Sequence, residues 1–226
     1  MSFGTRRRRL CWRLLLGPEQ GSAVAYSLAA FLELMNGKTM QSTVLLETPT
    51  LSTQRLVLQP LGPVHVESAW QSLFDGEAMR LTGTHATFSK EQVLRHLEQV
   101  AQSSDRLDWA VIRQADRAYI GEVVLNDLDS SNQSMNFRIA LFGEDIHGHG
   151  YGTEVTRAVV DYGLEVVRLH RIGLDVYDFN PRARRTYEKS GFIQEGVQRG
   201  TLRWDGAWHD SIMMSILATD PRPWRD

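Results

Sequence analysis

Two periods run along the chain, one of two residues and one near four, and they divide it into strands and helices. Gln54 to Gln59 alternates and stops at Pro60, which predicts a first strand. Pro63 presets a helical φ, residues 64–74 continue the helix, and Asp75-Gly76 is expected to end it. Ser89 and Gln92 have capping-box spacing ahead of a face made by Val93, Leu94, Leu97 and Val100. Trp109–Arg113 and Tyr119–Leu125 read as strands around a polar turn at residues 114–117. Residues 126–134 read as a loop, and Met135–Phe142 as a further strand. Val155, Ala158, Val159, Tyr162 and Val166 then recur at helical spacing over Thr153–Val167. Arg171–Tyr177 is again a strand, and the intervening helix makes it parallel to Met135–Phe142. Asn180-Pro181 opens a helix over Arg182–Ser190 that Gly191 closes, before final strands at Phe192–Gln198 and Trp208–Leu217. The pattern is that of an α/β protein with a mixed sheet.

Residues 1–46 follow neither period. Arg6 to Arg9 precede an apolar run that Arg13 and Gly17-Pro18-Glu19 interrupt. A signal peptide fits that break poorly; an arginine-rich transit peptide, a loosely attached helix, or leader read from an upstream start, with Met35 or Met40 the true beginning, are the other readings. We read residues 1–46 as an N-terminal extension, 47–219 as the folded domain and 220–226 as a C-terminal tail. At 226 residues with a formal net charge of −2, the chain lacks the basic surplus that a nucleic-acid partner requires. Cys11 is the only cysteine, so no intramolecular disulfide forms and a cytoplasmic location is expected. No apolar run reaches membrane-spanning length, and no membrane partner is expected.

The candidate chemistry begins at His147-Gly148-His149-Gly150-Tyr151-Gly152-Thr153, between a strand and a helix. Strand, glycine turn and helix N-terminus together offer unpaired N–H groups and a positive dipole end to a phosphate. The dinucleotide fingerprint fails, because the third glycine would fall on Thr153 or Val155, and no Gly-Lys-Ser/Thr follows for a triphosphate loop. Two histidines two apart, His147 and His149, lack the carboxylate or cysteine companions of a zinc site, so no metal is expected. No Ser/His/Asp order suggests a hydrolase.

This glycine turn resembles the coenzyme A loop of the GNAT acetyltransferase superfamily, with His147 where that loop usually carries arginine or glutamine. Asn180-Pro181-Arg182-Ala183-Arg184-Arg185-Thr186-Tyr187-Glu188-Lys189-Ser190-Gly191-Phe192 resembles the segment after the fifth strand of the RimJ/RimL branch. Thr48-Pro49-Thr50-Leu51-Ser52-Thr53-Gln54-Arg55-Leu56-Val57-Leu58 is similar to that branch's opening, with Gln59 in place of its arginine. Glu195-Gly196, Trp204-Asp205-Gly206, Trp208-His209-Asp210 and Met213-Met214-Ser215 carry the likeness on to Leu217.

The resemblance implies a mixed sheet splayed open between its two parallel strands, flanked by helices, with acetyl-coenzyme A as co-substrate and an amine as acceptor. Ala140, Leu141 and Phe142 would then offer backbone groups to the pantetheine arm, one N–H holding the oxyanion. His147, Gly148, His149, Gly150, Tyr151, Gly152 and Thr153 would cradle the pyrophosphate, and Asn180, Arg182, Ala183 and Tyr187 would complete the coenzyme site. Arg182, Arg184 or Arg185 would meet the remaining phosphate. Tyr187, a phenol near about 10, suits protonation of a thiolate whose thiol lies near about 8.5. For the base, Glu122, Asn136, Arg138 and a water relay stay open. Trp204 and Trp208 are candidates for the acceptor site, or for packing or an interface. The implied function is direct transfer, through a ternary complex, to a protein N-terminus, a polyamine or another small amine, in a monomer or homodimer. The rival is a catalytically silent acyl-coenzyme A-binding or scaffolding module.

Overall fold

A computed structural model describes residues 46–225, where the alternating stretches form one eight-stranded sheet. Its strands are β1 (Leu51–Ser52), β2 (Leu56–Pro60), β3 (Leu107–Arg113), β4 (Tyr119–Asp129), β5 (Ser134–Leu141), β6 (Arg171–Tyr177), β7 (Ile193–Trp204) and β8 (Ala207–Leu217). Their order across the sheet is β1-β2-β3-β4-β5-β6-β8-β7. The helices are α1 (Val66–Ser72), led in by a 3-10 turn at Pro63–His65, then α2 (Gly76–Leu81), α3 (Lys90–Val100), α4 (Tyr151–Glu165) and α5 (Pro181–Lys189). The readings for the N-terminal extension, and for Cys11 within it, lie outside the described residues apart from Leu46.

Every neighbouring pair is antiparallel except β5 and β6. That pair is in register only from Ser134↔Arg171 to Asn136↔Gly173. Beyond these residues the two strands part while each keeps its outer neighbour, β4 on one side and β8 on the other. The sheet is therefore open in its middle.

Each face of the sheet has its own core. On one, Val155, Val159, Val160 and Leu164 of α4 pack with Trp109, Val123, Leu125, Phe137 and Ile172. On the other, Leu97 and Val100 of α3 and Ala69 of α1 cover Ala110 and Ile112. The second core is smaller and leaves Asp108, Glu122 and Arg138, on the same face, lining a cleft instead. At Gly121 β4 and β5 leave no room for a side chain, since a Cβ would lie 2.3 Å from the Ala140 carbonyl oxygen.

Three expectations need correction. Asp75-Gly76 does not only end a helix: α1 stops at Ser72, and Asp75 caps α2 by accepting from the Ala78 N–H at 3.0 Å. Aspartate before a short apolar run is as good a start signal as a stop. Residues 126–134 are not all loop, because a register shift between Asn126 and Asp129, with Asp127 at φ 55°, lets β4 run on to Asp129. Likewise β7 absorbs two register shifts and continues to Trp204, turning at Asp205 and Gly206 with φ of 47° and 83°. Residues 220–225 pack against α4: Arg222 and the Trp224 indole both donate to Asp161 at 3.0 Å.

Candidate active site

The turn between β5 and α4 is held from outside. Gly150, at φ 81°, is the N-cap of α4, a conformation that a Cβ disfavours. Arg55, at the start of β2, donates Nη1 to the His149 carbonyl at 2.9 Å and lies 4.6 Å from the Tyr151 ring centre. Glu154, in the first turn of α4, accepts from Thr53 Oγ1 at 2.6 Å, the Arg55 N–H at 2.9 Å and Arg55 Nε at 2.7 Å. Burial alone would raise the Glu154 carboxyl, but these bonds outweigh it and hold it below its usual range. The clamp leaves the N–H groups of Tyr151, Gly152 and Thr153 without helical partners, and all three residues line the cleft.

This cleft of about 880 Å³ passes through the opening between β5 and β6. Phe142 donates its N–H to Ile120 at 2.9 Å, so β5 is hydrogen-bonded to β4 at that point. Antiparallel alternation turns the Ala140 N–H the same way and aims those of Ile139 and Leu141 into the gap. Of Ala140, Leu141 and Phe142, only Leu141 is thus placed to offer an N–H, and Phe142 does not line the cleft. Ile139 is the residue that the sequence reading missed; the two-residue period identifies it once the register is known.

On the far wall, α5 begins where Asn180 accepts from the Ala183 N–H at 3.1 Å. Its fold-facing residue is Tyr187, buried edge-on to Phe137 at 6.1 Å and beside Phe192 at 5.9 Å. Burial, and then the nearby Asp175 charge, push its phenol above the ordinary value, so it stays protonated. Arg182 reaches Glu77 and His147, both at 3.3 Å.

Polar groups gather at the other end. The Tyr119 phenol donates to Glu122, whose carboxyl is raised by burial despite that bond. Arg106 Nε and Nη2 each meet Asp108 at 2.6 Å. His96 is lowered by burial and by Arg106, and is neutral at pH 7. Arg138 and Asp175 complete this end.

The cleft brings together Ala140, Leu141, His147, Gly148, Gly150, Tyr151, Gly152, Thr153, Asn180, Arg182, Ala183 and Tyr187. His149 is not among its walls; its ring lies 6.0 Å from that of Tyr151, outside the turn. Arg185 lines the cleft, whereas Arg184 pairs with Glu188 at 2.9 Å one turn along α5. Trp204 stacks on His85 at 4.6 Å and Trp208 is 67% exposed, so neither lines it. Asn136 faces a separate recess of about 170 Å³. Among the described residues there is no cluster of three or more metal-ligating side chains, and no helix long and apolar enough to cross a membrane.

Residues 55–193 match the family model described as the acetyltransferase (GNAT) domain. The chain is 27% identical to the uncharacterized N-acetyltransferase YoaA of Bacillus subtilis over 172 residues, 75% of this chain and 97% of that one. It is 31% identical to the spermidine N(1)-acetyltransferase of Vibrio cholerae over 107 residues, 47% and 61% of the two chains. The crystal structure of the spermidine N-acetyltransferase from Vibrio cholerae in complex with CoA and spermine superimposes with a TM-score of 0.69 at 22% identity, covering 74% of this chain and 98% of that one.

Proposed function

Because the chain belongs to the GNAT acetyltransferase family, and is an acetyl-coenzyme A-dependent acyltransferase, we propose that it transfers an acetyl group directly to a primary amine within a ternary complex. One observation carries this reading: the split between β5 and β6 lies under the N-terminus of α4 and beside the Tyr187 phenol, in a single cleft. The fit is to a long, jointed anion. Amides of Tyr151, Gly152 and Thr153 suit a pyrophosphate, and those of Ile139 and Leu141 suit an amide-bearing arm lying in the gap like an added strand.

In the reaction the amine nitrogen bonds to the thioester carbon and the carbon–sulfur bond breaks. Glu122 takes the proton that the nitrogen sheds. Burial raises its carboxyl above the range of a solvated glutamate, which makes its ionised form the stronger proton acceptor. Asn136 lines a neighbouring recess and not the cleft, and the Arg138 guanidinium cannot accept a proton. An N–H on β5 holds the developing oxyanion, and Tyr187 supplies a proton to the departing sulfur. Acceptors in reach are a small amine, a polyamine, as in the spermidine-acetylating relatives, or a peptide N-terminus.

Thiol release from acetyl-coenzyme A over a panel of amines tests the reading. We expect acceptor-dependent release, and a Tyr187→Phe loss in kcat of about 10²-fold with coenzyme affinity nearly unchanged, since the ring and its contacts with Phe137 and Phe192 remain. Intact coenzyme binding with no release for any amine would favour a silent binding module. Collapse of affinity in Tyr187→Phe would make the residue a packing element.

A further inference from the structure

Resting on that acetyl-transfer reading, we propose that the acceptor is a small amino-carboxylate, an amino acid or a close analogue, whose carboxylate is held by Arg138. Two arginines line the polar end of the cleft, and they differ in their commitments. Arg106 is engaged by both oxygens of Asp108. Arg138 makes no ion pair with any described residue. It sits at an exposed position of β5.

Strand register fixes what Arg138 faces. Val124 is its partner on β4, and Glu122 pairs with Ala140, so Arg138 and Glu122 share a sheet face one diagonal step apart. Across the gap, Asn136↔Gly173 is the last parallel pair, so two residues on, Arg138 and Asp175 stand on the same face where the strands diverge. Asp175 is also exposed, lines the cleft and makes no ion pair with any described residue.

An uncommitted cation and an uncommitted anion thus flank the place where the amine must attack. A zwitterion satisfies both, its ammonium drawn to Asp175 and Glu122 and its carboxylate to the guanidinium fork. A polyamine would instead set added positive charge beside Arg138, which like-charge repulsion disfavours. The geometry favours an anion close to the reacting nitrogen.

The test compares free amino acids with their carboxamides, and with spermidine, in the wild type, Arg138→Gln and Arg138→Lys. Wild type should favour acid over amide in kcat/KM by at least about 10-fold. In Arg138→Gln that ratio should fall to near unity, chiefly through KM, and Arg138→Lys should restore part of it. Titration calorimetry of an amino acid into coenzyme A-loaded wild type provides a second readout should a variant fail to fold, with binding expected and the carboxamide weaker. Acetylation of spermidine or carboxamides in preference to every amino acid, or an unchanged ratio in Arg138→Gln, overturns the inference and leaves acetyl transfer standing. Absence of transfer to any amine overturns both.

Discussion

At the scale of residues, the informative groups are those whose surroundings push them from their ordinary state. Glu122 is raised by burial, so its stabilising contribution is complete below the unfolded value of 4.5 and is lost as pH rises through the higher folded value. The ionised form that the proposed base role requires is therefore the form that burial disfavours. Glu122→Gln should therefore lower kcat by about 10²- to 10⁴-fold while leaving the melting temperature at pH 7.5 unchanged or higher. It should also remove the acidic limb of the pH–rate profile. Retention of that limb in the variant would assign the base elsewhere. The sequence named Glu122 as one candidate among several, because a glutamate on a strand has no motif of its own. Its distinction comes from Tyr119, from Asp108 on the next strand and from burial, which only the assembled sheet supplies.

Among elements, the turn before α4 illustrates how local chemistry and distant support combine. His147 to Thr153 was legible because a glycine turn between a strand and an apolar-periodic helix is a local signal. Its clamp was not: Thr53 and Arg55 lie about a hundred residues away from Glu154. The Glu154 carboxyl is held below its unfolded value of 4.5, so the stability it contributes is full above 4.5 and declines as pH falls through the folded value. Glu154→Gln should lower the melting temperature at pH 7 and flatten its decline below pH 4.5, as followed by circular dichroism. An unaltered acid limb of the melting curve would mean that the clamp does not couple to folding. The same element scale explains why Phe142 turns its N–H to β4 instead of the cleft. Alternation predicts a strand, but which N–H groups point outward depends on whether the partner is hydrogen-bonded at odd or even positions, and that parity is a property of the pair.

For the whole molecule, the decisive feature is a sheet that separates in the middle while its two halves stay paired outward, β1-β2-β3-β4-β5 and β6-β8-β7. Backbone groups facing that gap require a partner, which the proposed ligand would provide. Hydrogen exchange should accordingly slow at Ile139, Leu141 and Tyr151 to Thr153 when coenzyme A is added, and the melting temperature should rise with its concentration. Protection confined to other segments would refute the proposed path of the ligand. By itself the sequence determined the succession of strands and helices, the parallel relation of β5 and β6, the caps at Ser89 and Asn180, and the family pattern carried by the glycine turn and by Tyr187. These are encoded in neighbouring residues, through periodicity, φ preference and capping. Tertiary structure alone decided at which residue the two parallel strands part, which of Ala140, Leu141, Phe142 and His149 face the cleft, and that Glu122, Arg138 and Asp175 converge there. Such relations hold between residues far apart in the chain, and a one-residue change of register would reverse them while leaving every local signal intact.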